Sequence, residues 1–219
     1  ATLVGAVSET GLIEQLYRSA LTLESAREQL FGALADGVFW VNYIGHGALN
    51  ALSGDGILTA SDVSSFTAAE LAIFTNMTCQ SSRFEIAGFD SFGETLSNSN
   101  VAIGVWGATG LSTDRNADVM VQAFARGMYG DARTLGEAID GAYVALAATE
   151  EEGTRDMFAV YHLLGDPATR LKDRQEAPII IPPGDAGTDR PIPTDAGPDL
   201  GAGADAGTRK TAAPSSVAA

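Results

Sequence analysis

Residues 38–50 read VFWVNYIGHGALN, an apolar, β-branched and aromatic run that stops at His46, held between Gly45 and Gly47. A run this apolar, interrupted only by Asn42, has no polar face to offer water, so it reads as a strand buried on both sides, the kind parallel sheets use. Two further runs share its character, ELAIFTNMT at 70–78 and NVAIGVWG at 100–107. Helical patterns surround them. SETGLIEQLYRSA (8–20) spaces Ile13, Leu16, Tyr17 and Ala20 on one face, and LTLESAREQLFGALADG (21–37) does so with Leu23, Leu30, Phe31 and Leu34 before Gly37 supplies a stop. ILTASDVSSFT (57–67) predicts a short helix capped at Thr59 or Ser61, and NADVMVQAFARGMYG (116–130) and TLGEAIDGAYVALAAT (134–149) predict two longer ones. GTRDMFAVYHLLGDP (153–167) closes the ordered region. Strands alternating with helices predict an α/β layer with a parallel sheet.

Composition narrows the function. The chain has 219 residues, 45% of them hydrophobic, enough for one good-sized core or two small ones. A formal charge of −15 is the opposite of what nucleic-acid phosphates attract, so nucleic acid is not an expected partner. No apolar stretch approaches the roughly 18 residues of a membrane span, and the N-terminus has no basic region followed by an apolar one. Cys79 is the one cysteine, which excludes an intrachain disulfide and a cysteine-rich zinc site; no metal and no cofactor are expected.

Residues 1–173 form the expected domain. From Glu176 onward Pro, Gly, Ala and Asp dominate and aromatics vanish, so 174–219 reads as a disordered linker that buries too little to offset the entropy of ordering it. Asp-Ala-Gly recurs at 185, 195 and 205, but each unit offers too few oxygens for Ca²⁺.

In open parallel sheets, ligands bind beyond the carboxyl ends of the strands. His46 follows one predicted strand and Cys79 the next. If those strands are neighbours, their ends lie about 5–10 Å apart, close enough for imidazole and thiol to cooperate. A thiol is only partly ionised at neutral pH, and a nearby imidazole takes its proton or stabilises the thiolate. A carbonyl attacked by that sulfur becomes an oxyanion and needs donors already in place, for which the backbone N–H groups of Gly47 and Cys79 are the candidates. A side chain at 47 would crowd the carbonyl that its N–H must reach.

The loop 104–113 is expected to wall the substrate cleft, with Gly45, Ala108, Thr109 and Gly110 as substrate contacts and Trp106 either core or pocket floor. GVWGATG (104–110) also fits a glycine pattern of nucleotide-binding folds, but such a fingerprint opens the first strand–turn–helix unit and needs an acidic residue ending the next strand; in this chain the segment after it reads as helix. His162 reads as packed or capping, and Asp114 or Asp118 as helix N-terminal acids.

The pair YIGHG (43–47) and AIFTNMTCQSSRFE (72–85) resembles the gingipain-type cysteine peptidases, relatives of the caspases. AREQLFGALADGVFWVNYIGHG (26–47) is similar to that family's approach to its histidine, FGETL (92–96) to the segment after its cysteine loop, and YHLLGDPATRL (161–171) to the close of its peptidase domain. The resemblance implies a caspase-like three-layer α/β fold with a mainly parallel sheet flanked by helices, a cysteine endopeptidase acting on protein or peptide, His46 as the catalytic histidine, Cys79 as the nucleophile, and the Gly47 and Cys79 amides as the oxyanion hole. It also implies further strands and a substrate-pocket segment upstream of the histidine, so an upstream segment of the same precursor is an expected partner that completes the sheet beside 38–44. A spacer after a peptidase domain suits a secreted or cell-surface zymogen. The alternatives are an inactive caspase-like subunit that binds a peptide or partner domain, and a nucleotide-binding module.

Overall fold

The run 38–44 folds as expected because every side chain from Val38 to Tyr43 finds a buried place. Trp40–Ile44 form β2, with Trp40 and Ile44 on one side of the sheet and Val41 and Tyr43 on the other. The structure, a computed structural model, describes residues 13–17, 19–149, 152–171 and 179–181, of which 13–15 and 179–181 are described as backbone.

Along the described chain the elements are β1 (Ile13–Gln15), α1 (Leu23–Asp36), β2, β3 (Gly47–Ala48), β4 (Ala51–Leu52), β5 (Leu58–Thr59), α2 (Ala60–Ser65), β6 (Thr67–Met77), α3 (Phe92–Ser97), β7 (Asn100–Ala108), α4 (Asp114–Tyr129), α5 (Leu135–Ala147), α6 (Thr154–Val160), β8 (Tyr161–Gly165) and β9 (Ile179–Ile181). The main sheet runs β1-β9-β2-β6-β7-β8, parallel except for β8, which pairs antiparallel with β7. A small antiparallel sheet, β3-β4-β5, comes after His46.

Side-chain alternation splits the core into two layers. One face, carrying Val41, Tyr43, Phe74 and Val105, is covered by Leu30 and Leu34 of α1, Val63 of α2 and Phe92 and Leu96 of α3. The other, carrying Trp40, Ile73, Met77 and Trp106, is covered by Met120 and Phe124 of α4, Ile139 of α5 and Met157 of α6. This is the expected α/β architecture, a mainly parallel sheet flanked by helices. Three side chains inside it are linked in series: Trp40 Nε1 donates to Thr75 Oγ1 at 2.9 Å, and Thr75 Oγ1 donates to Asn42 Oδ1 at 2.7 Å. That link satisfies the Asn42 carbonyl oxygen within an otherwise apolar strand, while its Nδ2 is buried without a partner among the described residues.

Capping chemistry sets the helix starts. Thr22 accepts from Ser25 N–H to open α1, and Thr59, not Ser61, opens α2 through a reciprocal box with Asp62. Ser91 and Glu94 do the same for α3.

Four expectations change. The helix read over 8–20 is a strand at Ile13–Gln15, because parallel pairing with β9 overrides a weak local helical pattern; 8–12 and Arg18 lie outside the described residues. The segment 153–167 divides into α6 and the edge strand β8. β7 extends through Ala108, so the loop after it begins at Thr109 rather than Gly104. The outer side of β2 is covered, with Trp40 paired to Ile179 and Val41 to Ile180. Those isoleucines fall within the stretch read as a linker, where three consecutive β-branched residues suit a strand. The remainder of 174–219 lies outside the described residues.

Candidate active site

β2 and β6 are adjacent and parallel, in a register that ends with Ile44 opposite Met77. His46 and Cys79 each stand two residues past that pair, so the register brings both to the same end of neighbouring strands. Neighbouring strands lie about 4.8 Å apart.

Two glycines shape the turn at His46. Gly45 has φ 152°, outside the range that side-chain-bearing residues favour, and its N–H points to Met77 O at 3.5 Å. Gly47 packs so closely on the cysteine loop that a Cβ there would stand 2.5 Å from both the Cys79 carbonyl oxygen and Thr78 Oγ1. The His46 carbonyl accepts from Tyr43 Oη at 2.7 Å and from Ser53 N–H at 2.9 Å, which fixes the backbone while the residue itself stays exposed.

The cysteine loop is pinned on its other side. β6 ends in a tight turn, Thr78 N–H to Asn76 O at 2.9 Å. Gln80 then takes φ 57°, unusual for a residue with a side chain, and donates its N–H to Gly110 O at 2.9 Å. Ser82 N–H donates to Ala108 O at 3.0 Å, and Gly93 N–H to Ser81 O at 2.7 Å. Cys79, half-buried, has its Sγ 3.3 Å from the Ser112 N–H nitrogen and 3.6 Å from Ser112 O. Ser112 Oγ is 2.8 Å from the hydroxyl of Tyr161, whose burial pushes its acidity well below that of a free phenol.

Of the residues read as substrate contacts, Gly45, Thr109 and Gly110 stand in the turns around Cys79, Thr109 being held by N–H and Oγ1 bonds to Val160 O at 2.7 and 3.1 Å. Trp106 and Ala108 do not. Both are fully buried, and Trp106 packs against Phe124, Tyr143 and Tyr161 with ring centroids 5.4–5.9 Å apart, so its place is core and not pocket floor. His162 is packed: its ring meets Phe84 edge-on and its Nε2 lies 3.0 Å from Ala159 O. The cap of α4 is Thr113, with Asp114 in the first turn. Ser112 and Tyr161 were not readable as site residues, since Ser112 reaches Cys79 across 33 residues through a loop with no motif of its own.

The model of peptidase family C25 matches residues 8–172. The chain belongs to this family, the gingipain-type cysteine peptidases. Solved structures share the fold, among them the following three. One described only as a protease has a TM-score of 0.57 at 18% identity over 64% of this chain and 37% of that one. A complex of Porphyromonas gingivalis RgpB pro- and mature domains gives 0.61 at 16% over 66% and 37%, and the Arg-specific cysteine proteinase gingipain R (RgpB) gives 0.58 at 14% over 78% and 52%. The chain thus spans between 37% and 52% of the lengths of these relatives. A search of curated proteins returns no match. Among the described residues, no helix is long and apolar enough to cross a membrane.

Proposed function

We propose that this C25 chain carries the His/Cys dyad of a cysteine endopeptidase, with Cys79 as nucleophile and His46 as general acid and base. The observation that supports it is the β2–β6 register, which sets the two residues at matched positions beyond Ile44 and Met77 at the carboxyl end of a parallel sheet. His46 takes the thiol proton, and Cys79 Sγ attacks the substrate carbonyl carbon. The resulting oxyanion is received by the Gly47 and Cys79 N–H groups, backbone donors that need no reorganisation. His46 then gives the proton to the leaving amine, and water, deprotonated by His46, releases the acyl group and restores the thiol.

Gly45, Thr109 and Gly110 flank the substrate backbone in this reading. An upstream segment of the same precursor is the partner in this reading, supported by a structural neighbour that is a complex of pro- and mature domains. Secretion or surface display as a zymogen fits an enzyme of this kind.

The decisive variant is Cys79→Ala, measured together with the upstream segment. It abolishes peptide hydrolysis and labelling by iodoacetamide while the fold persists; undiminished hydrolysis would remove Cys79 from the mechanism. His46→Ala lowers turnover by about 10²- to 10⁴-fold, the usual worth of general acid–base help. A wild-type chain that binds peptide without cleaving it, with the upstream segment present, would favour the inactive-subunit alternative.

A further inference from the structure

We propose that Ser112, fixed by the buried hydroxyl of Tyr161, is a positioning residue that holds the Cys79 sulfur and favours its thiolate form. This rests on the reading of Cys79 as the nucleophile.

Ser112 meets the sulfur twice, and the two contacts suit different protonation states. The Ser112 carbonyl, 3.6 Å away, accepts from the S–H of the thiol; the Ser112 N–H, at 3.3 Å, donates to sulfur and gains strength as negative charge develops there. Ser112 lies two residues before α4, whose N-cap Thr113 makes no side-chain capping bond, so the positive end of a 16-residue helix adds to the same preference.

A backbone amide is only as useful as its placement. Ser112 sits between two strongly held neighbours: Gly110 O accepts from Gln80 N–H at 2.9 Å, and Thr113 Oγ1 accepts from buried Asn116 Nδ2 at 2.9 Å. Its own side chain is tied by the 2.8 Å bond to Tyr161. Tyr161 is buried among Trp106 and its neighbours, with its carbonyl accepting from Tyr143 Oη at 2.9 Å. Burial raises the pKa of the phenol, so the hydroxyl stays neutral while the thiol titrates.

The titratable groups around the Ser112–Tyr161 pair are Cys79, Tyr143 from α5 and Asp114 from α4, and His46 stands at the matched position past the neighbouring strand. Burial raises the pKa of both tyrosines, so they carry no charge over the relevant range. Ser112 N–H is the neutral donor in direct contact, and its effect is therefore separable from charge.

The test uses the full chain, in which Cys79 is the one thiol, so iodoacetamide reports it without any need for peptidase activity. Alkylation rates are measured against pH for the wild type, Tyr161→Phe, Ser112→Ala and the double variant. Each single change moves the midpoint upward by about half to one pH unit with the high-pH plateau unchanged, a roughly 3- to 10-fold slower reaction below the midpoint. The double variant moves it no further, because both changes cut the same bond. Ser112→Thr, which keeps a hydroxyl, restores the wild-type midpoint. The shift persists on a His46→Gln background, where no imidazole titrates. An unmoved midpoint in folded Ser112→Ala, additive shifts in the double variant, or loss of the shift without His46 would each overturn the proposal; a lower melting temperature with an unmoved midpoint would show a purely structural role. Failure of the nucleophile reading would show separately, as hydrolysis that survives Cys79→Ala.

Discussion

Position 47 has no room for a side chain. The Cβ of an alanine would need to push back the Cys79 carbonyl and Thr78 Oγ1, each 2.5 Å away, and both belong to the loop that carries the sulfur. Gly47→Ala therefore displaces the proposed nucleophile and oxyanion donor together. Misplacement of about 1 Å costs roughly 100-fold in rate, so kcat/KM is expected to fall by at least that factor with the far-UV circular dichroism unchanged. A loss under about threefold would mean that the loop yields without consequence. The position of Gly45, His46, Gly47 and Cys79 at one end of the sheet was legible because each lies just past an unmistakable buried strand, where chain order alone gives position. Trp106 was ambiguous because an aromatic near a strand end serves a core or a pocket equally well, and only the packing of Phe124, Tyr143 and Tyr161 around it decides. Ser112 and Tyr161 were illegible because a backbone N–H carries no sequence signature.

At the scale of elements, the small sheet after His46 is held to α1 by Arg27. Its guanidinium donates to Asp62 at 2.9 and 2.7 Å, and to the carbonyls of Gly56 at 2.7 Å and Ile57 at 3.2 Å, tying β5 and α2 to the helix behind β2. The Arg27 hydrogen bond above all, helped by Thr59, lowers the Asp62 carboxyl from 3.8 to about 2. A carboxyl depressed in the folded state contributes stability that is fully present above its unfolded value and is lost as pH falls through the folded one. The window here runs from near pH 4 down to about 2. Asp62→Asn is expected to cost about 1 kcal/mol at pH 7, after discounting for the partial exposure of the pair. Urea unfolding should show that gap closing towards pH 2; a gap equal at both ends would mean that the carboxylate charge is not responsible. Elements with strong local signals, such as α1 with its Thr22 cap and β2 and β6 with their apolar runs, could be read directly. The three-residue strands β1 and β9 could not, because pairing across the whole described chain makes them strands, and β8 was hidden by its continuity with α6.

For the molecule as a whole, the sheet depends on a segment that composition marks as linker. β9 lies between β1 and β2, pairing Ile179 with both Ile13 and Trp40 and Ile180 with both Glu14 and Val41. Without it, Trp40 and Val41 would lose these pairings, and the edge of a strand apolar on both faces would open, the kind of edge that proteins cover to avoid association. The position of the C-terminal cut therefore decides the outcome. A chain ending after residue 182 keeps β9 and is expected to melt as the full chain does, since Pro, Gly and Asp beyond that point offer little to bury. A chain ending after residue 173 loses the strand, with a lower melting temperature and concentration-dependent association on gel filtration. Ile180→Pro, which removes one ladder N–H within the full chain, should fall between the two, at roughly 2–4 °C lost for each kcal/mol. If the two truncations melt together, β9 contributes nothing to the sheet and the closure of β2 must come from elsewhere.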